Sequence, residues 1–206
     1  NCAWRSLTKK KGFSVVNIVG LAIGMAAALL ILTYVAFEYS YDDMHSRQDR
    51  IFRVEARFYE NGELTDDWAS SSAGYATAMK QNMSAVEDYT RVGSQYYPEQ
   101  VVKYNELLCR ETGIGYAEAN FFDFFDFKLL KGNKESCLDG PNKVVITERI
   151  ARKYFKGADP IGKILIFRSN IGEEACEVTG IMEDMPINTH IRYNLLISYK
   201  TLPKWM

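Results

Sequence analysis

The stretch Gly157-Ala-Asp-Pro-Ile-Gly-Lys163-Ile164 holds the spacing in this chain that comes nearest to known chemistry. It misses the phosphate-binding pattern G-x-x-x-x-G-K-[ST] by one residue. In that loop the backbone cradles phosphates, the lysine reaches them, and the final hydroxyl holds Mg²⁺. Ile164 has no hydroxyl. The context is also inverted. Upstream, Ile146 to Phe155 places Ile150, Ala151, Tyr154 and Phe155 on one helical face, and downstream Ile164 to Phe167 is a short apolar run of strand type. The order is helix, turn, strand, whereas a phosphate loop needs strand, loop, helix. The stretch therefore reads as structural. Gly157 is expected to end a helix as its C-cap, Asp159-Pro160 to turn the chain, and Gly162 to free the backbone before the strand.

Other chemistry-bearing residues are sparse or scattered. The two histidines, His45 and His190, are far apart, and neither G-x-S-x-G nor H-E-x-x-H occurs. Asp42, Asp43 and His45 have the look of a metal cluster, but they sit on a polar segment with no further histidine nearby and read as turn and capping residues. The carboxylates do not form a recognisable acid/base pair. Of the four cysteines (Cys2, Cys109, Cys137 and Cys176), none forms a C-x-x-C, and isolated thiols are expected. No catalytic, cofactor-binding or metal-binding residue is assigned.

The elements that would position these residues divide by charge. Arg5, Lys9, Lys10 and Lys11 form a basic flank, residues 1–12. Gly12 to Phe37 then carries no charged residue, and Glu38 onward holds 26 acidic against 21 basic residues. An uncharged run of that length spans a bilayer core of about 30 Å with some tilt. It is too long for the apolar region of a signal peptide, and the following TYVAFEYSYDD offers no good cleavage site. Residues 13–37 are read as a transmembrane helix. The lysines place its N-terminus in the cytoplasm and residues 39–206 outside. Gly20, Gly24 and Ala28 recur every four residues, a strip that lets another helix approach closely. Asn17 lies about one turn inside the cytoplasmic end. The acidic outer part disfavours nucleic-acid binding.

Outside the membrane the sequence predicts strands at 51–58, 90–92, 101–104, 144–146, 164–167, 176–182 and 193–198. It predicts helices at 74–86, 120–127 and 146–155, with a turn at Asn61-Gly62 and a loop at 184–188. Phe121, Phe124 and Phe125 are expected on one side of a helix, as core rather than as a ligand site. The fold class is α+β: one N-terminal transmembrane helix followed by a mixed α/β domain with a mixed or antiparallel sheet.

Several stretches together resemble the FtsX/MacB-type permease subunits of ABC transporters. They are Trp4-Arg5-Ser-Leu7 with KKKGFSVVNIVGLAIGMA, Glu38-Tyr-Ser-Tyr-Asp42 with His45 and Arg50-Ile-Phe-Arg53, and Asn120 to Phe127. Val144 to Glu148 leading to Asp159-Pro-Ile-Gly162, Val178-Thr-Gly-Ile181, and Pro186 to His190 complete the set. The resemblance spans nearly the whole chain in order. It implies a first membrane helix plus a MacB-like periplasmic core domain over residues 38–206. Residues 38–91 would be a first porter-like segment and 92–206 mainly a Sabre-like insertion, with a returning porter segment beyond. It further implies a bacterial inner-membrane subunit that works with a separate cytoplasmic ATPase and a second permease copy. The subunit would couple ATP hydrolysis to periplasmic change for export, lipoprotein release or control of envelope hydrolases, through a periplasmic adaptor or hydrolase. The alternative is a membrane-tethered sensor or binding module without an ATPase.

Overall fold

The computed structural model describes residues 11–94, 99–169 and 172–202. Most of the basic flank, with Cys2 and the Trp4-Arg5 motif, lies outside the described residues. The chain forms two compact units, residues 1–43 and 44–206.

In the first unit, helix α1 runs from Lys11 to Tyr39 and buries none of its residues. It is long and apolar enough to cross a membrane. Its 29 residues extend about 44 Å at 1.5 Å per residue. A helix that is apolar all round needs an apolar surrounding. Phe37, Glu38 and their neighbours then close the helix with turns in which Ser40 Oγ donates to the Phe37 carbonyl at 2.7 Å.

The second unit begins with a hairpin of β1 (Ala56–Glu60) and β2 (Glu63–Trp68), followed by helix α2 (Ala73–Asn82). Asn61 and Gly62, at φ 54° and 86°, give the two-residue turn that such hairpins favour. That turn sets the register from Glu60↔Glu63 to Ala56↔Trp68. Pairing cannot reach back to Ile51, so the strand starts five residues later than the sequence predicts. The second predicted helix likewise stops early, with Met83 already extended at its C-cap.

The main sheet has nine strands. Their sequence ranges are β3 (Val92–Ser94), β4 (Glu99–Tyr104), β5 (Leu107–Thr112), β6 (Ile114–Ala117), β7 (Leu129–Lys131), β8 (Lys143–Thr147), β9 (Ile164–Ser169), β10 (Gly172–Met182) and β11 (Leu195–Ser198). Their spatial order is β3-β6-β11-β8-β10-β9-β4-β5, with β7 pairing β10 beyond the end of β9. The β10/β8 and β11/β6 pairs are parallel and the others antiparallel, so the sheet is mixed.

Period-two alternation sends side chains to two cores. Val144, Ile146, Leu195 and Ile197 enter one core together with Ile150, Tyr154 and Phe155 of helix α4 (Glu148–Phe155). Val145 and Leu196 enter the other, under the phenylalanines of residues 121–127. Strands buried on both faces read as continuous apolar runs, as VVI and LLI do here. Gly115 is required by a close approach: a Cβ there would meet the Tyr193 ring at 2.4 Å.

The aromatic segment corrects the expected long helix. Only Phe121–Phe124 is helical, one turn named α3, and Phe125 is extended. Phe121, Phe122, Phe125 and Phe127 are buried, while Phe124 is half-buried. Extending the chain after one turn lets Phe127 stack on Phe121, ring centroids 5.5 Å apart. The core role holds; the periodicity does not. β2, β5, β6 and β7 were not foreseen.

Candidate functional site

The near-phosphate loop is held as a turn. Thr147 caps α4, its Oγ1 accepting from the Ile150 N–H at 3.4 Å. Lys156, not Gly157, is the C-cap, left-handed at φ 51°, and Gly157 follows at φ 96°. The helix ends at Phe155 as expected, and the two consecutive left-handed residues place its cap one position earlier than expected. β9 starts at Ile164, with Gly162 at φ 77° before it. A shallow groove of about 240 Å³ lies beside this turn, lined in part by Lys131, Arg152, Asp159 and Pro160. Its cations are committed: Lys131 lies 3.6 Å from Asp159, and Arg152 lies 3.8 Å from Glu148 and 3.2 Å from Asp184. The Lys163 side chain is exposed and sits at a strand start, away from any helix N-terminus that could hold an anion.

The suspected Asp42, Asp43 and His45 group separates into different roles. Asp42 is a left-handed turn residue at φ 59°. His45 is buried, and its ring packs against those of Phe125 and Phe127, with centroid distances of 5.3 and 5.1 Å. Its Nδ1 accepts from the Asp126 N–H at 3.2 Å. The Asp126 carboxylate in turn accepts from the Ser46 N–H at 2.5 Å. That backbone bond, first among several causes, holds the Asp126 carboxyl below the usual carboxylate range. Among the described residues, no group of three metal-binding side chains exists.

Sequence reasoning missed a second polar cluster. Glu111 on β5 is buried and accepts from Tyr154 Oη at 2.7 Å and from Lys153 Nζ at 2.6 Å. Burial, then the Glu111 bond, pushes the Tyr154 hydroxyl well above its ordinary value. The bond to Glu111 raises Lys153, against a smaller opposing effect of burial. The signal was the alternation in Leu107–Thr112, where Cys109 and Glu111 share one face. Without knowing that α4 covers that face, nothing marked Glu111 as inward. The cluster ties α4 to the sheet.

Cys109, Cys137 and Cys176 are not disulfide-bonded. Burial pushes the Cys137 thiol up to about 11 and the Cys176 thiol up to about 12, which keeps both protonated and unreactive. Gly20, Gly24 and Ala28 all lie exposed on α1, on one face because residues four apart stack. A Cβ at either glycine would meet nothing within 4 Å.

A domain of a protein described as a permease from Porphyromonas gingivalis aligns at TM-score 0.58 and 27% identity, covering 67% of this chain and 62% of that one. The periplasmic region of MacB from Actinobacillus actinomycetemcomitans aligns at TM-score 0.44 and 19% identity, covering 61% and 54%. The extracellular domain of the noncanonic ABC-type transporter YknZ from Gram-positive bacteria aligns at 0.49 and 16%, covering 64% of each chain. The chain thus spans less than two thirds of each of these structures. No curated protein matches it. The MacB-like periplasmic core domain model matches residues 14–206, starting inside α1 and running through both cores, and the chain belongs to that family of FtsX/MacB-type permeases.

Proposed function

We propose that the chain is the membrane-anchored core of a permease subunit that transmits ATP hydrolysis on a separate cytoplasmic ATPase to its extracytoplasmic domain. One observation carries this reading. A single apolar helix leads, within a few residues, into a sheet domain of the MacB-like family, and the family match begins in that helix. Such a join suits a part that moves rather than one that catalyses. In this reading residues 39–206 are periplasmic, 38–91 form the first porter-like segment and 92–206 the Sabre-like part. Gly20, Gly24 and Ala28 would pack against another helix of the permease dimer, and the output would be export, lipoprotein release or hydrolase control.

The test is reconstitution of the full-length permease with the ATPase subunit in lipid nanodiscs. The two should co-purify, and the permease should change the rate of ATP turnover. An ATPase that neither binds nor responds overturns the reading in favour of a tethered sensor. In the same preparation Gly24→Leu should reduce assembly while membrane insertion stays normal. Packing, not hydrophobicity, drives association in lipid, and Leu favours the bilayer. Normal assembly with Gly20→Leu and Gly24→Leu combined would show that the strip faces lipid. Cys2 should resist an impermeant thiol reagent in intact spheroplasts, and its labelling there would overturn the topology.

A further inference from the structure

We propose that residues 45–47 and 123–126 form a clasp that carries displacement of the chain leaving α1 directly into the main sheet, with His45 as its positioning residue. The inference rests on the transmission role proposed above. Three hydrogen bonds cross the clasp. Asp126 N–H donates to His45 Nδ1 at 3.2 Å. Ser46 N–H donates to Asp126 Oδ2 at 2.5 Å. Arg47 Nη2 donates to the Asp123 carbonyl at 2.6 Å. Backbone and side chain are used on both sides, so neither strand of chain can slide without breaking a bond.

The position of the clasp gives it mechanical meaning. α1 ends at Tyr39 and the clasp begins at His45. Along the covalent chain, Arg47 and Asp123 are 76 residues apart, and that path runs through the exposed β1–β2 hairpin and α2 before it first enters the main sheet at β3, Val92–Ser94. A pull carried only along the exposed stretch ahead of β3 would be dissipated before it reached the sheet. The clasp bypasses it. Its far side is rigid, because Phe125 and Phe127 belong to the core packed on Val145 and Leu196 of the central strands.

The imidazole itself points to a positioning role. His45 is 4% exposed. With Nδ1 accepting, the neutral ring carries its proton on Nε2, and Nε2 is buried without a hydrogen-bond partner. Against two phenylalanine rings a purely apolar side chain would avoid that loss. What the histidine adds is Nδ1 at the Asp126 amide. An asparagine Oδ1 can stand near the same point, whereas phenylalanine cannot accept at all.

The experiment uses the full-length permease with its ATPase in nanodiscs and follows amide hydrogen exchange with ATP or ADP bound. In the unaltered protein, exchange in residues 121–147 should differ between the two nucleotides. His45→Phe should abolish that difference while β8 and β11 stay as protected as before without nucleotide. His45→Asn should restore it. If the unaltered protein shows no nucleotide-dependent difference anywhere, the transmission role falls and the clasp with it. If His45→Phe keeps the difference in 121–147, the clasp alone is refuted. Should His45→Phe lose protection of β8 without nucleotide, Arg47→Ala decides. Arg47 is exposed, so its removal should weaken the difference without unfolding the sheet, and an undiminished difference overturns the proposal.

Discussion

Two hairpins in the second unit are built alike and end differently. β1–β2 turns at Asn61-Gly62 and β4–β5 at Asn105-Glu106, with Asn61 and Asn105 both left-handed at φ 54° and 52°. Each pairs antiparallel over five or six residues. Yet β4 has a second partner, β9, through Val101↔Arg168, Val102↔Phe167 and Lys103↔Ile166, and α4 lies over the face that holds Val102. β1–β2 has no further strand partner among the described residues and buries no side chain. Local turn chemistry makes a hairpin; neighbours decide whether it carries stability. A lone two-stranded hairpin is marginal in water, so the folding free energy of this unit should reside in the nine-stranded sheet.

The strongest way to sharpen that contrast is Phe167→Ala. Phe167 is 1% exposed beside β4. Removing a fully buried phenylalanine costs about 3–5 kcal/mol, from lost transfer energy and the cavity left behind. The urea midpoint of the unit 44–206 should drop accordingly, with β1–β2 unaffected before the global transition. A small shift would mean that the β4–β9 seam is not part of the cooperative core.

Glu111→Ala should rank second. It strips a buried partner from Tyr154 and Lys153, and an unsatisfied buried group costs about 1–3 kcal/mol. The pH dependence has a defined sign. The lysine value is raised in the fold, so its contribution is fully present below the ordinary lysine value of 10.5 and lost as pH rises through the raised value. Stability lost in alkali should therefore be smaller in Glu111→Ala than in the unaltered protein. The matching pair on the other hairpin is Arg57–Asp67 at 3.2 Å, directly opposed in register but exposed. Exposed pairs contribute roughly 0–1 kcal/mol, and Arg57→Ala should leave the urea midpoint nearly unchanged. Equal effects from the two substitutions would erase the distinction between the hairpins.

How much of this was legible follows from where each signal lives. Apolar runs buried on both faces, VVI at 144–146 and LLI at 195–197, announce central strands without any partner information, and α4 announces itself by its face of Ile150, Ala151, Tyr154 and Phe155. The missed strands are those whose pattern is incomplete without a neighbour: Leu107–Thr112 exposes both leucines, and Ile114–Ala117 contains the glycine that Tyr193 covers. The run NFFDFFDF has helical spacing, but tertiary stacking of Phe127 on Phe121 overrides it. His45 read as a turn residue because its burial depends on Phe125 and Phe127, some 80 positions away. The apolar helix α1 needed no partner at all to be legible, since length and composition mark it.

The most local expected effect is the most telling for the comparison. Trp68 is 54% exposed, and its ring meets that of Phe58 at a centroid distance of 5.0 Å, interplanar angle 61°. Such aromatic pairs contribute roughly 0.5–1.5 kcal/mol beyond the area they bury. In β1–β2 the backbone ladder and the turn are supplemented by this pair, the Arg57–Asp67 contact and the bond from Thr65 Oγ1 to the Phe58 carbonyl, with no buried side chain on either strand. Trp68→Ala should therefore loosen the hairpin locally. Amides in Arg57–Tyr59 should exchange faster, while those in β8 and β11 keep their protection and the global urea midpoint barely moves. The opposite outcome, a global loss approaching that of Phe167→Ala, would require the hairpin to unfold together with the nine-stranded sheet. The clasp at 45–47 would then not bypass a compliant segment but sit beside a stiff one, and the chain between Arg47 and Asp123 would itself carry load.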